Sequence, residues 1–189
     1  MQITTKTSYY DFFRLWQTYR FEDRMEELFE NVRKYPLPKK MDVNFEELTF
    51  GYLRRLQTEI TTPADIFTKP FEILLDMKQK KYMKMKAVDC LRFVLHVKDN
   101  LEAIVKLFGA IQYQPNEDEI RAGINKLSGG FFDTADWYAR RMGITNHNEV
   151  DKVRWGIIYL AKKKDFEEYQ FQENYRKVIE QKHKQQRHG

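Results

Sequence analysis

The residues able to do chemistry are few and far apart in this chain. Hydrolysis asks for paired carboxylates in an apolar cleft, or for a nucleophile beside a histidine and an orienting acid. Acids occur in groups at Glu46-Glu47, Glu117-Asp118-Glu119 and Glu167-Glu168. They fall at helix starts or on exposed faces, where the helix dipole and solvation account for them. His147 stands between Asn146 and Asn148 in a polar turn, a composition that turn geometry favours on its own. His96 borders an apolar run without a cysteine or second histidine at ligand spacing, and His183 and His188 lie in the C-terminal tail. There is no Gly-rich phosphate loop with its lysine and hydroxyl, no CxxC and no HExxH. The expectation is a non-enzymatic protein with no catalytic residue, metal or cofactor.

The single cysteine, Cys90, sits in VDCLRFVLHV and has no partner for an internal disulfide. A reactive thiolate needs an exposed, electropositive setting, so Cys90 reads as a buried, inert thiol. Residues 77–86, MKQKKYMKMK, carry five lysines and no acid. With arginine and stacking aromatics sparse, this reads as a solvated face over inward-packing Tyr82, Met83 and Met85, not as a phosphate-contacting patch.

A DNA-reading hairpin was the other chemistry to test. Ala139, Gly143 and Ile144 occupy the alanine, glycine and hydrophobic positions of a helix-turn-helix. The next expected apolar position falls on Glu149, with Val150 one residue late. The exposed Asn148, Asp151 and Lys152 give no positive surplus, whereas major-groove readers carry arginine or amide side chains with phosphate-binding support. The formal charge of +5, from 33 basic and 28 acidic residues, is spread along the chain and not gathered into a stripe. Nucleic acid is therefore not an expected partner.

The elements that hold these residues are helical throughout. At 189 residues, with 42% apolar and 15% aromatic side chains, the chain can bury a real core. Phe12, Leu15, Trp16, Tyr19, Met25, Leu28, Phe29 and Val32 recur at helical spacing after Thr7 or Ser8 and predict one helix to Lys34, ended by Pro36 and Pro38. Asn44 with Glu47 predicts the cap of a short helix bearing Phe45, Leu48, Leu53 and Leu56. Thr62 caps the helix opened by Pro63, and Pro70 marks a kink or boundary in it. Ala87 to Ile111 is the clearest helix, with Val88, Leu91, Val94, Leu95, Leu101, Ile104, Val105, Leu107 and Phe108 along one stripe. Asn116 caps EDEIRAGINKL, which ends at Ser128-Gly129-Gly130. Asp133 or Thr134 begins TADWYARRM, Gly143 ends it, and the turn TNHN leads into a helix from Glu149.

The expected fold is thus an all-α, compact bundle of about seven to eight helices with a charged C-terminal helical tail. Residues 1–164 form one domain, within which residues 1–35 are a helix able to pack separately, and 165–189 form the tail, whose last eight or so residues should fray. The N-terminus, MQITTKTSYYDFF, lacks a basic region followed by an apolar run, and no stretch approaches the roughly 20 apolar residues of a membrane span. A soluble, intracellular protein is expected.

Five segments in fixed order carry a resemblance: LTFGYLRRL (Leu48 to Leu56), FEILL (Phe71 to Leu75), AGINKL (Ala122 to Leu127), GGFFDTADWYA (Gly129 to Ala139) and EVDKVRWGIIY (Glu149 to Tyr159). Together, over residues 45–175, they resemble the tail assembly chaperones of tailed bacteriophages and related prophage tail-region proteins. The resemblance implies a protein of the host bacterial cytoplasm that binds the tape-measure protein, a long helical polypeptide, and recruits tail-tube subunits, with self-association as a further option. Such work needs exposed apolar grooves between helices to receive amphipathic segments, and a flexible charged tail to recruit other components. Phe12, Trp16, Tyr19, Phe131, Phe132, Trp137 and Trp155 are the candidate contacts. The alternatives are a structural virion connector or tail-completion subunit, and a DNA-binding regulator using the hairpin at 134–160.

Overall fold

The apolar stripe that begins at Ala87 becomes the axis of the molecule in a computed structural model that describes residues 6–19, 22–113, 115–127 and 129–188, with the backbone alone at 19, 22–24, 125, 127, 187 and 188. Eleven α-helices follow one another among the described residues: α1 (Tyr9–Tyr19), α2 (Glu22–Arg33), α3 (Phe50–Glu59), α4 (Pro63–Ile66), α5 (Lys69–Leu75), α6 (Gln79–Tyr82), α7 (Ala87–Gly109), α8 (Glu117–Arg121), α9 (Phe131–Met142), α10 (His147–Val150) and α11 (Trp155–His188). The fold is all-α and compact, as the periodicity predicts. The larger number of helices comes from the division of two predicted helices, into α1 and α2 and into α4 and α5, and from α6 and α10, single turns too short to leave a periodic apolar signature.

α1 and α2 both lie against α7, α3 packs on α5 and α9, and α10 rests on α9 and α3. Ten side chains of α7 are buried, from Ala87 to Phe108. Its predicted stripe narrows toward the C-terminal end, where Val105 and Leu107 are exposed and Ile104 and Phe108 alone turn inward. Around the N-terminal half of α7 the core is aromatic. Phe71 stacks on Tyr82 at 4.6 Å and meets Phe93 at 5.0 Å and Tyr9 at 5.6 Å, while the Tyr9 hydroxyl donates to the Phe67 carbonyl at 2.7 Å. That bond lets a phenol lie fully buried without leaving its oxygen unpaired. Arg33 at the end of α2 grips Asp99 of α7 through two hydrogen bonds, one of 2.7 Å, and this donor holds the Asp99 carboxyl below its usual range.

The four principal helix starts are joined in pairs. The first amide hydrogens of α1, from Tyr9 and Tyr10, go to the carbonyls of Met85 and Met83, and Ala87 at the start of α7 donates back to Thr7. In the same manner Phe50 and Gly51, opening α3, donate to Val153 and Asp151, and Trp155, opening α11, donates to Leu48. Each pair of starts supplies carbonyls to amides that have no partner inside their own helix. This is why α3 and α7 begin without a side-chain cap at Thr49 and Lys86. Gly51 is required there by space: a Cβ would lie 2.9 Å from the Asp151 Cβ and 3.0 Å from its carbonyl oxygen.

Several predicted boundaries move for the same reason. Asn44 does cap, accepting from the Glu46 amide, but the turn it starts is a 3₁₀ turn over Phe45–Glu47, and the helix proper waits until Phe50. α9 begins at Phe131, two or three residues before the Asp133 or Thr134 start, because the Gln57 side chain caps it from α3. α11 begins at Trp155 instead of Glu149, since residues 151–154 are drawn into the pairing with α3. The single first helix is described as two stretches whose join, residues 20 and 21, lies outside the described residues. The predicted caps at Thr62 and Asn116 are both present as reciprocal capping boxes, with Asp65 and Glu119. Gly143 closes α9 in the left-handed conformation at φ 66°. The boundary at Pro70 appears as the break between α4 and α5. At the C-terminus the charged tail is helical, as expected, and continuous with the helix before it: α11 runs unbroken for 34 residues to His188, and positions 164 and 165 are successive residues within it.

Candidate protein-interaction surface

The segments of the sequence richest in glycine and aromatics converge on the α3–α11 junction. Phe131 points back from the first turn of α9 into Phe50 of α3 at 5.5 Å and Phe108 of α7 at 5.7 Å. Phe108 in turn meets Tyr159 at 5.5 Å and Trp155 at 6.3 Å. The Trp155 indole N–H donates to the Phe45 carbonyl at 2.6 Å, fixing the first turn of α11 to the 3₁₀ turn before α3. The backbone reaches this arrangement through Gly130, whose φ of 61° is a conformation that disfavours any side chain.

Two of the seven candidate contacts are thereby core residues. Phe12 is 1% exposed between Tyr9 and Phe67, and Phe131 is 7% exposed, so neither faces a partner. In a helix whose neighbour lies on one side, consecutive aromatics such as Phe131 and Phe132 point about 100° apart, so one of them turns inward. Trp16 is half-buried against Phe67, with ring centres 4.7 Å apart. Trp155 is half-buried as described, and Trp137 is half-buried under Lys162, whose ammonium lies 5.7 Å from the ring centre. The Tyr19 side chain lies outside the described residues. Phe132 alone is well exposed, at 53%, with its ring stacked on His147 at 5.9 Å.

The other chemistry-bearing side chains have structural surroundings. His147 places Nε2 3.4 Å from the Asp136 carboxylate, at the rim of the α9–α10 turn. The His96 ring sits edge-on to Phe45 at 5.4 Å, with Nε2 3.4 Å from the Val43 carbonyl and Nδ1 3.2 Å from the Asn100 amide nitrogen. Cys90 is fully buried and points its thiol at the Tyr82 carbonyl, 3.6 Å away, and burial pushes its pKa well above the ordinary thiol value. Tyr82, Met83 and Met85 pack inward beneath the lysines of residues 78–86, all of which are exposed. No group of three His, Cys, Asp or Glu side chains among the described residues could hold a metal ion. α10, which follows the Gly143 turn, is a single turn of four residues. No described helix is long and apolar enough to cross a membrane.

Lys162 of α11 is half-buried against α9. It donates to the Thr134 hydroxyl at 3.2 Å, and burial lowers its pKa while the nearby Asp133 carboxylate opposes that shift. One turn further on, Arg141 of α9 holds Asp165 with three hydrogen bonds of 2.8 to 3.1 Å. These contacts, with Tyr113 against Tyr169 at 5.6 Å, anchor α11 along its first half.

Beyond them the helix presents a face that sequence reading treated only as a charged tail. Ile157, Leu160, Phe171, Tyr175 and Val178 are 45–64% exposed. At 100° per residue they fall on one side of α11, opposite the side that carries Ile158 into the core. The spacing 171, 175, 178 was visible in the sequence. What hides it is the density of charge around it.

Set against known proteins, the chain matches no protein-family model, no curated protein and no solved structure.

Proposed function

We propose that this chain is a non-enzymatic assembly protein of the tail assembly chaperone kind, working in the bacterial host cytoplasm by holding apolar helical segments of a tape-measure protein and bringing tail-tube subunits to it. The observation that carries the reading is the apolar face of α11, a long helix with one buried side chain, Ile158, among its described residues and with Phe171, Tyr175 and Val178 turned to solvent. An amphipathic helix recognises another by aligning such a face, with anchors spaced at three and four residues. Contiguous exposed apolar surface on a soluble chain marks a site of association. Support also comes from the segments behind the resemblance. LTFGYLRRL, GGFFDTADWYA and EVDKVRWGIIY meet at one junction, through the Leu48–Trp155, Gln57–Phe131 and Phe50–Phe131 contacts, and this junction aims α11 away from the bundle.

Co-expression with the genes that flank its own, followed by affinity capture, tests the proposal. Recovery of a very long helical protein, reduced when Tyr175 is changed to Asp, is the expected result. Capture of portal or tube subunits alone, or retention of the chain in finished particles, would replace it with a structural virion role.

A further inference from the structure

The outer face of α11 is complementary to itself. Glu168, Phe171, Tyr175, Val178 and Lys182 follow at intervals of three, four, three and four, the spacing of a two-stranded helical seam. Three apolar side chains fill the middle, one acid stands at the N-terminal end and one base at the C-terminal end. All five are exposed. The surrounding charge is segregated in the same direction: residues 165–175 hold four acids and no base, while residues 176–186 hold Arg176, Lys177, Lys182 and Lys184 against Glu180 alone.

The helix dipole accounts for bases near the end of α11, but not for the acids, which lie ten or more residues past its start at Trp155. Asp165 is held by Arg141 of α9, and Glu173 pairs with Arg176 at 2.9 Å. For Glu167 and Glu168, pairing within the helix is a weak account: Lys163–Glu167 and Lys164–Glu168 are 3.9 and 3.5 Å apart and largely solvated, and such pairs contribute little.

We infer that the occupant of this face in the free protein is a second copy of the same chain, its α11 lying antiparallel to the first about a two-fold axis near Tyr175. The axis sets Glu168 of each copy against Lys182 of the other, seven residues to either side of Tyr175, and closes Phe171, Tyr175 and Val178 between the helices. A parallel pair would bring Glu168 onto Glu168 and Lys182 onto Lys182. A two-fold interface uses one patch twice, which a patch with opposite charges at its two ends satisfies. The inference rests on the same face as the proposed function and gives it a resting state. The dimer shields the stripe, and a partner helix competes for it.

Sedimentation equilibrium of the full chain tests this, from about 1 to about 300 µM, so that a dissociation constant in the micromolar range falls within the window. A monomer–dimer equilibrium is expected, weakened by salt because the end pairs are exposed. Phe171→Asp should leave a monomer with an unchanged helical circular-dichroism spectrum. Glu168→Lys and Lys182→Glu should each weaken the dimer about tenfold, and the two together should restore it, since opposite charges face again. A chain that stays monomeric over the whole range overturns the inference, as does a dimer insensitive to Phe171→Asp or a double exchange that fails to rescue. Capture of a long helical protein by a chain that never dimerises would leave the proposed function standing while removing its resting state. A dimer that captures none would do the reverse. A monomer that instead binds vesicles of anionic lipid would show the stripe to be a membrane face.

Discussion

α7 and α11 are the two long helices of this protein, and both start in the same way, at a junction where another helix start supplies carbonyls to their first amides. They then diverge. α7 has 23 residues, ten of them buried, and it is gripped by α1 and α2 on one side and by the α5–α6 aromatics on another. α11 has 34 residues and buries Ile158 alone among its described side chains. Length therefore says little about how firmly a helix is held. Helices draw most of their stability from packing an apolar face, and α11 packs only its first half.

If that contrast is right, truncating a ring on each side should give very different results. Phe71→Ala, in the cluster with Tyr9, Tyr82 and Phe93, should cost about 3–5 kcal/mol in urea melts, while Phe171→Ala at low protein concentration should shift them by under about 0.5 kcal/mol. Comparable losses at both sites would mean that the distal half of α11 packs on the body after all. The junction lies between these extremes. Trp155→Phe keeps an aromatic ring against Phe108 but removes the indole donor to Phe45, for an expected loss of about 1 kcal/mol. Trp155→Ala adds the loss of the ring and should reach about 2–4 kcal/mol.

Lys162 lies on the half of α11 that is held against the body, and pH probes it. Burial makes the folded chain bind this proton less tightly than the unfolded chain does. Unfolding then takes up protons between the depressed value and the ordinary lysine value of about 10.4, so stability rises with pH through that window. Lys162→Met should flatten the slope of unfolding free energy just below the ordinary lysine value of about 10.4. An unchanged slope would mean that Lys162 reaches solvent and that α11 separates from α9 earlier than Ile158, Trp137 and Asp165 indicate. The smallest effect is expected from ending the chain after Gln170, which should leave the unfolding transition within about 0.5 kcal/mol while abolishing self-association.

What could be read in the sequence is what local chemistry controls. The Thr62 and Asn116 caps, the Gly143 stop, the Pro70 break, the inward Tyr82 and Met83 beneath exposed lysines and the buried Cys90 all follow from a residue's own neighbours, and all are present. The misplacements share a different cause. The starts of α3, α9 and α11 are set by amides bonded to residues 74 to 107 positions away, such as Phe131 to Gln57 and Trp155 to Leu48, and periodicity carries no trace of such partners. The candidate contacts divided in the same way. Aromatic content was legible, but whether Phe131 or Phe132 turned inward depended on where α3 and α7 lay.

The sequence by itself determined an all-helical chain, its strongest caps and its most apolar helix, because those depend on propensity and on spacing within a few turns. Only the tertiary structure decided which aromatics are core and which are surface, and that α11 leaves the bundle with its apolar stripe uncovered. Burial is a property of neighbours, and the neighbours of Phe131 and Phe171 are assigned by how α3, α7 and α11 meet.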